Sequence, residues 1–457
     1  MSVTEKQVVV VGGGVAGVAA ATALATAGLP VTLLEAAPGL GGRARSFVDR
    51  TTGDAVDNGQ HALMGCYDEF LALLVRLGRR GDLYERELDV PLWDESRGLQ
   101  HLVCPRLPAP LHFAAGVLRF RHLSARERVS ALRAGRALVS RYGRGGAQGD
   151  RATVAEALAE LGQGARARRA LWDPLAWATL NADPERASAR LLATVVERAL
   201  LGSRAASRFL LPAVPLSELY AEPARKLVEE RGGSVHCRTA AEALVFERGR
   251  VSGVRTGGET LPAAAVVLAV PPAPARRLLS PALARLVPPA LDRATPIVSV
   301  TLWLDRPIGG PDFVGLLGAQ TQWIFRVDRI HRPPDGHADD RAPARLACVR
   351  SGASDWVERP TREIAEIVLR EARAALPDTV NAVLRHALVV KEVAATLAPD
   401  PELQPLRPAA TLPVPNLFLA GDWTSTGLPA TLEGAALSGH RAAALATVAT
   451  LAPGDAL

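Results

Sequence analysis

The sequence predicts an α/β protein: a Rossmann-like dinucleotide-binding domain joined to a mixed α+β substrate domain with a helical cap. Three observations carry this. The chain opens on an apolar strand, a glycine turn, a helix of small residues, a second strand and an acid, "QVVVVGGGVAGVAAATALATAGLPVTLLEAA". A second strand–turn–helix junction, "NLFLAGDWTSTGLPATLEGAALSGH", stands near the other end. Between them, stretches of β-alternation and of helical periodicity succeed one another.

The first junction has a complete context. Val8 to Val11 read as a buried strand, and Gly12, Gly14 and Gly17 form GxGxxG. Such glycines give a tight turn, a close approach of backbone to a pyrophosphate, and close helix–strand packing. The helix that follows, through Val15 and Ala16, offers unpaired N–H groups and a positive dipole end to phosphates. Glu35 closes the second strand 23 residues after Gly12, with Ala36 beyond it, placed to accept hydrogen bonds from an adenosine ribose. A chance glycine-rich turn would lack the flanking strand, helix and acid.

Next comes "PGLGGRARS", with Gly41, Gly42 and Arg43. This resembles the "GGR" signature of the amine oxidase and phytoene desaturase flavoprotein superfamily. The resemblance implies FAD, a glutathione-reductase-like binding domain of the amine oxidase type, and Gly42 and Arg43 along the pyrophosphate and ribityl chain; an ordinary solvated arginine is the plainer reading of Arg43. In that superfamily the chain leaves the nucleotide domain and returns on a strand ending in Gly-Asp, here Gly421 and Asp422, with the aspartate at a ribityl hydroxyl. Pro429 suits the first position of the helix that follows. N–H groups around Thr431 and Leu432 then point at flavin O2 and N1. The alternating segment "GGSVHCRTAAEALVFERGRVSGVRTGGETLPAAAVVLAVPP" reads as a β-meander that the superfamily sets against the adenine, with Ala241 at the contact.

Further blocks narrow the resemblance. "DNGQHALMGCYDEFLALLVRLG" from Asp57, "LWDPLAWATLNADPERASARLLATVVERAL" from Leu171, "FLLPAVPLSELYAEPA" from Phe209 and "KEVAATLAPDPELQPLRP" from Lys391 resemble the squalene-associated FAD-dependent desaturases, the group of the hydroxysqualene dehydroxylases. That resemblance implies reductive loss of water from hydroxysqualene, in squalene and hopanoid synthesis. Such a reaction needs a dry apolar cavity, an acid, and a hydride donor. Asn58, Gly59, Gln60 and His61 fall in a loop expected at the flavin, with Asp57 and Asn58 shaping it. His61, Tyr67 and Glu433 are the candidate acids. Each has a structural alternative: His61 as a loop pin, Tyr67 as packing, Glu433 as a helix cap. Asp173, before Pro174, reads as a turn residue. Two other functions stay open: a carotenoid or phytoene-type desaturase, and a non-catalytic FAD-binding partner of a prenyl synthase complex.

Composition bounds the partners. The chain has 457 residues, 48% hydrophobic and 4% aromatic, with a formal net charge of +6. Only Lys6, Lys226 and Lys391 are lysines, so arginine supplies the positive charge. Nucleic-acid binding would want aromatics interleaved with basic residues, which the sequence does not offer. Cys66, Cys104, Cys237 and Cys348 lack metal or redox spacing, so no metal is expected and a reducing, cytoplasmic compartment fits. No stretch reaches the roughly 18 apolar residues of a membrane span, and no leader is visible in "MSVTEKQVVVVGGG".

The segment at 105–145 is a basic helical region. It reads equally as a patch for anionic headgroups on the inner membrane face or as a solvated surface. The expected division is a discontinuous FAD-binding domain (1–62, 215–285, 405–457) and a substrate domain (63–214, 286–404). Within the latter, "TVAEALAELG" reads as a helix with a Thr153/Glu156 capping box, "IVSVTLWL" and "QWIFRV" as strands, "TREIAEIVLREARAAL" as a helix, and "GRGGAQGD" as a flexible loop.

Overall fold

The computed structural model describes residues 7–143, 146, 151–331 and 342–451. Strands β1 (Val8–Val11) and β2 (Val31–Leu34) are buried along their whole length. Continuous Val and Leu runs suit parallel strands covered on both faces. β1 pairs in parallel with β2 and with Ala265–Leu268, placing Val8 opposite both Val31 and Ala265. The sheet runs Ser234–His236, β2, β1, Ala265–Leu268, Val414–Leu419, Thr411–Leu412. Three separated stretches of chain thus share one sheet. The strand Val414–Leu419 is parallel to its neighbour Ala265–Leu268, so the turns after Val11 and Leu419 leave the sheet at the same end. The carboxyl ends of parallel strands are where such sheets bind ligands.

Helix α1 (Val15–Thr26) follows the first turn, and the C-terminal helix (Leu432–Leu451) follows the second. They touch backbone to backbone: a Cβ on Gly439 would lie 2.1 Å from the Ala16 carbonyl oxygen. Pro429 is not at the start of the C-terminal helix, as the sequence suggested. The helix begins at Leu432, and Thr431 caps it, its Oγ1 accepting from Gly434 N.

The meander is present as Ala243–Glu247, Arg250–Thr256 and Glu259–Pro262, and leads into the buried strand Ala265–Leu268. A second, seven-stranded sheet runs Leu384–Leu397, Ala294–Leu304, Arg345–Ser351, Trp323–Arg326, Phe313–Leu316, Asp89–Asp94, Gly98–Val103. Helices α2 (Asp68–Arg76), α3 (Leu111–Arg119) and α4 (Ala125–Tyr142) come from the region between. Phe70, Leu73 and Leu74 of α2 pack into the parallel-sheet core, although 63–214 reads from sequence as substrate domain. α3, α4 and the helices through Gly202 share a separate core around Phe120, Leu138 and Trp172.

Thr153 and Glu156 form the expected capping box, and Ser124 with Glu127 forms another at the start of α4. The helix Thr361–Ala375 lies where its periodicity put it. Asp173 is not a turn residue: it opens the helix Asp173–Leu180 and accepts a hydrogen bond from Arg168. Most of "GRGGAQGD" lies outside the described residues. Among the described residues no helix is long and apolar enough to cross a membrane, and all four cysteines are free.

Candidate active site

The two turns are built differently. At the first, Gly12 has φ +106°, and a Cβ there would strike the Ala269 carbonyl oxygen at 2.5 Å. Gly17 lies under it: its Cβ would fall 1.8 Å from the Gly12 carbonyl oxygen. Gly14 is the opposite case. A Cβ there would meet nothing within 4 Å, because the position opens on a cavity. Glu35 accepts from Gly13 N at 2.6 Å and Ala37 N at 2.7 Å, so its carboxylate braces the turn from the far strand.

The second turn is held by side chains. Gly421 N donates to Ser438 Oγ at 2.8 Å. Buried Arg407 donates to the carbonyl oxygens of Thr424, Leu428 and Asp422 at 2.7–2.9 Å. Arg43 ties the "GGR" loop to the second turn and to the strand Leu384–Leu397: its guanidinium meets Asp422 Oδ1 at 2.5 Å and donates to the Ala395 carbonyl. The Asp422 charge holds the Arg43 pKa above its ordinary value. Arg43 is therefore not a free, solvated arginine.

A loop from Asp57 to His61 closes the space between the turns. Burial raises the Asp57 carboxyl to about 6, although Ser46 Oγ and Leu216 N both donate to it. Asn58 donates to the Arg43 carbonyl and Glu392 and accepts from Arg45 N. Gln60 Nε2 is buried and has no hydrogen-bond partner among the described residues. His61 Nδ1 lies 2.7 Å from the Gly59 carbonyl, which can only accept, so Nδ1 carries the proton. Burial lowers the His61 pKa, leaving a neutral ring whose Nε2 is an acceptor. Burial raises the Tyr67 pKa, so that group stays an O–H donor; the Thr431 side chain is within its hydrogen-bonding reach.

A cavity of about 900 Å³ runs from these turns into an apolar chamber between the seven-stranded sheet and the helical cap. Leu102, Phe113, Leu175, Phe313 and Trp323 are among the walls. Every site residue assigned from sequence lines this one cavity except Gly17 and Asn58. Gly17 is spent on helix–strand contact. Asn58 does not line the cavity, and its amide braces the loop through Arg45 N, the Arg43 carbonyl and Glu392.

The residues fit FAD. An open glycine cradle lies at a helix N-terminus, a carboxylate stands on the neighbouring strand, an orphaned amide lies in the loop, and the groove continues to a second helix N-terminus. Residues 15–447 match the family described as flavin containing amine oxidoreductase.

The chain belongs to that family.

As a member, it binds FAD. It is also similar to the hydroxysqualene dehydroxylase of Sinorhizobium fredii, 32% identical over 96% of this chain and 98% of that protein. The hydroxysqualene dehydroxylase of Rhodopseudomonas palustris is 33% identical over 97% and 99%. Cyclohexylamine oxidase from Brevibacterium oxydans shares the fold, with a TM-score of 0.67 at 18% identity, covering 96% of this chain and 98% of that one.

Sequence reasoning missed several residues that make this flavoprotein's site. Tyr220 donates its hydroxyl to the Gly41 and Ala44 carbonyls and so pins the "GGR" loop. Arg407 shapes the second turn, and Arg198 reaches Cys66 O, Asp68 and Glu433. Glu433 is itself committed: Oε2 accepts from Glu69 N and Phe70 N at 3.0 Å each, capping α2, and Oε1 faces Arg198 at 3.1 Å. The only sequence signal was an arginine inside "QPLRP".

Proposed function

We propose that this flavoenzyme reductively dehydroxylates hydroxysqualene to squalene. The observation that carries the reading is the continuity of the cavity, whose lining joins the glycine turns, His61 and Tyr67 to apolar side chains of the seven-stranded sheet and the helical cap. When bound, reduced FAD supplies the hydride that replaces the departing hydroxyl.

The chain's own residues supply the rest. The chamber walls take up the hydrocarbon and keep water from recapturing an allylic cation. His61 Nε2 accepts a hydrogen bond from the substrate hydroxyl and orients it. A neutral imidazole with its proton on Nδ1 is not a donor there, so His61 serves as a positioning group. Tyr67 stays protonated across neutral pH and is the donor toward the leaving oxygen. Glu433 keeps α2 and the C-terminal helix in register, which places Tyr67, the residue before α2. The discontinuous division into an FAD-binding and a substrate domain gives this arrangement its two walls. We also propose a cytoplasmic location with contact to the inner membrane face, where the substrate dissolves, and prenyl synthases as partners that hand it over.

Anaerobic stopped-flow tests the reading. Hydroxysqualene should reoxidise the reduced flavin and yield squalene, while Tyr67→Phe slows that step roughly 10²-fold or more. Flavin that ignores hydroxysqualene but is reduced by phytoene-like polyenes would install the desaturase reading instead. Response to neither would leave a binding partner.

A further inference from the structure

Helix α3 is apolar all round, and only half of it is covered. Its sequence, Leu111 to Arg119, carries no charge before its last residue, and its one other polar side chain, His112, is buried against Ser207 Oγ. Phe113 and Val117 face inward, and Phe113 lines the cavity. Leu111 and Leu118, seven residues apart and so on one face, are 58% and 47% exposed. A helix apolar on every side is normally buried on every side.

Neighbouring segments also expose apolar side chains. Leu107 is exposed in the turn that leads into α3, and Leu99 and Val103 are exposed on the strand Gly98–Val103. That strand touches α3 directly: a Cβ on Gly116 would meet Val103 O and Cys104 Sγ at 2.9 Å.

The charges around this face are mostly positive. From 105 to 143 the chain holds eight arginines and a single acid, Glu127, which Arg166 and the Ser124 cap already engage. Arg106 is 80% exposed, and Arg119, Arg121 and Arg126 are exposed. Of the acids on the neighbouring segments, Asp89 pairs with His101, Glu87 pairs with Arg204 and lies 3.7 Å from Arg106, and Glu95 is exposed in the turn before Gly98. Protruding leucines ringed by arginine complement a surface with an apolar interior and acidic headgroups.

We infer that the outer face of α3, with Leu107, Leu111 and Leu118 as the inserting residues and Arg106, Arg119 and Arg121 as the headgroup contacts, docks the protein on an anionic lipid bilayer. This moves the contact from the long basic helix α4, whose apolar side is buried in the cap, to the shorter α3. It also puts the bilayer one helix thickness from the cavity, with Phe113 on the inner side of the same helix. The inference rests on the proposed handling of a lipid-soluble substrate for its purpose, but not for its test.

The test is co-sedimentation of the full-length flavoprotein with vesicles, either pure phosphatidylcholine or with about one-third phosphatidylglycerol. The wild type should bind the anionic vesicles about tenfold or more better than the neutral ones at low salt, and lose that preference as salt rises. Leu111→Gln with Leu118→Gln should cut binding about tenfold, while flavin content and Tm stay as in the wild type. Arg119→Gln with Arg121→Gln should remove chiefly the anionic preference. No binding at low salt, or equal binding by the leucine variant, overturns the inference. So does a wild-type dimer that the leucine variant converts to monomer without loss of vesicle binding, since the face would then belong to a second copy. Turnover of detergent-dispersed hydroxysqualene, measured separately, reports on the activity alone.

Discussion

The two ends of the cavity obey different rules. At the nucleotide end, backbone atoms pass so close that single methyl groups are excluded, as at Gly12 and Gly17. At the chamber end, leucines, phenylalanines and a tryptophan face an open volume with space to spare. One end fixes positions to fractions of an ångström; the other fixes only polarity and approximate size. A ligand with phosphates and hydroxyls calls for the first kind of wall, and a featureless hydrocarbon for the second.

Substitutions can sharpen or break that contrast. The largest effect is expected at Gly17→Ala, where the methyl would collide with the Gly12 carbonyl; we expect a loss of about 3 kcal/mol or more, seen as a lower Tm and colourless protein. Arg407→Met should come next. It strands three buried carbonyls of the second turn and should cost about 2–4 kcal/mol in denaturant unfolding, with weaker flavin retention.

Asp57 gives a pH signature. Burial raises it from 3.8 to about 6, so over that window the native state keeps a proton that the unfolded chain has released. Stability should therefore fall as pH rises through the window, by on the order of 1–3 kcal/mol, and Asp57→Asn should flatten that fall in Tm measured against pH. At the chamber end, Phe313→Leu should cost only about 1 kcal/mol and shift KM more than kcat.

The smallest stability effect belongs to Gly14→Ala, within about 0.5 kcal/mol, because the methyl enters open space. Its flavin affinity should nonetheless fall about tenfold or more in a reconstitution titration. Unchanged affinity would mean that the open space is not the cradle.

What could be read in the sequence follows the same divide. The two junctions, the meander and the "GGR" loop were legible because they depend on glycine spacing and on strand and helix periods within short windows. The start of the C-terminal helix was misread because Pro429 looked like a first helical residue, whereas Thr431 supplies the cap. The partners of Glu433, and the roles of Arg198, Tyr220 and Arg407, were opaque. Glu433 meets Phe70 across 363 residues, and Tyr220 reaches Ala44 across 176. Nothing local in a sequence marks such partners. The bare face of α3 was hidden for another reason: apolar periodicity says that a face is greasy, not whether anything covers it.

The strand Val414–Leu419 and the helix Leu432–Leu451 have a temporal consequence. Until that stretch has emerged from the ribosome, the strand Ala265–Leu268 lacks a neighbour on one side, α1 lacks the helix that crosses it at Gly439, and Arg43 has no aspartate to meet. Loading of the cofactor thus has to wait for the second turn and the helix after it, and a nascent chain stalled short of Asp422 would be colourless however well its opening strands had formed.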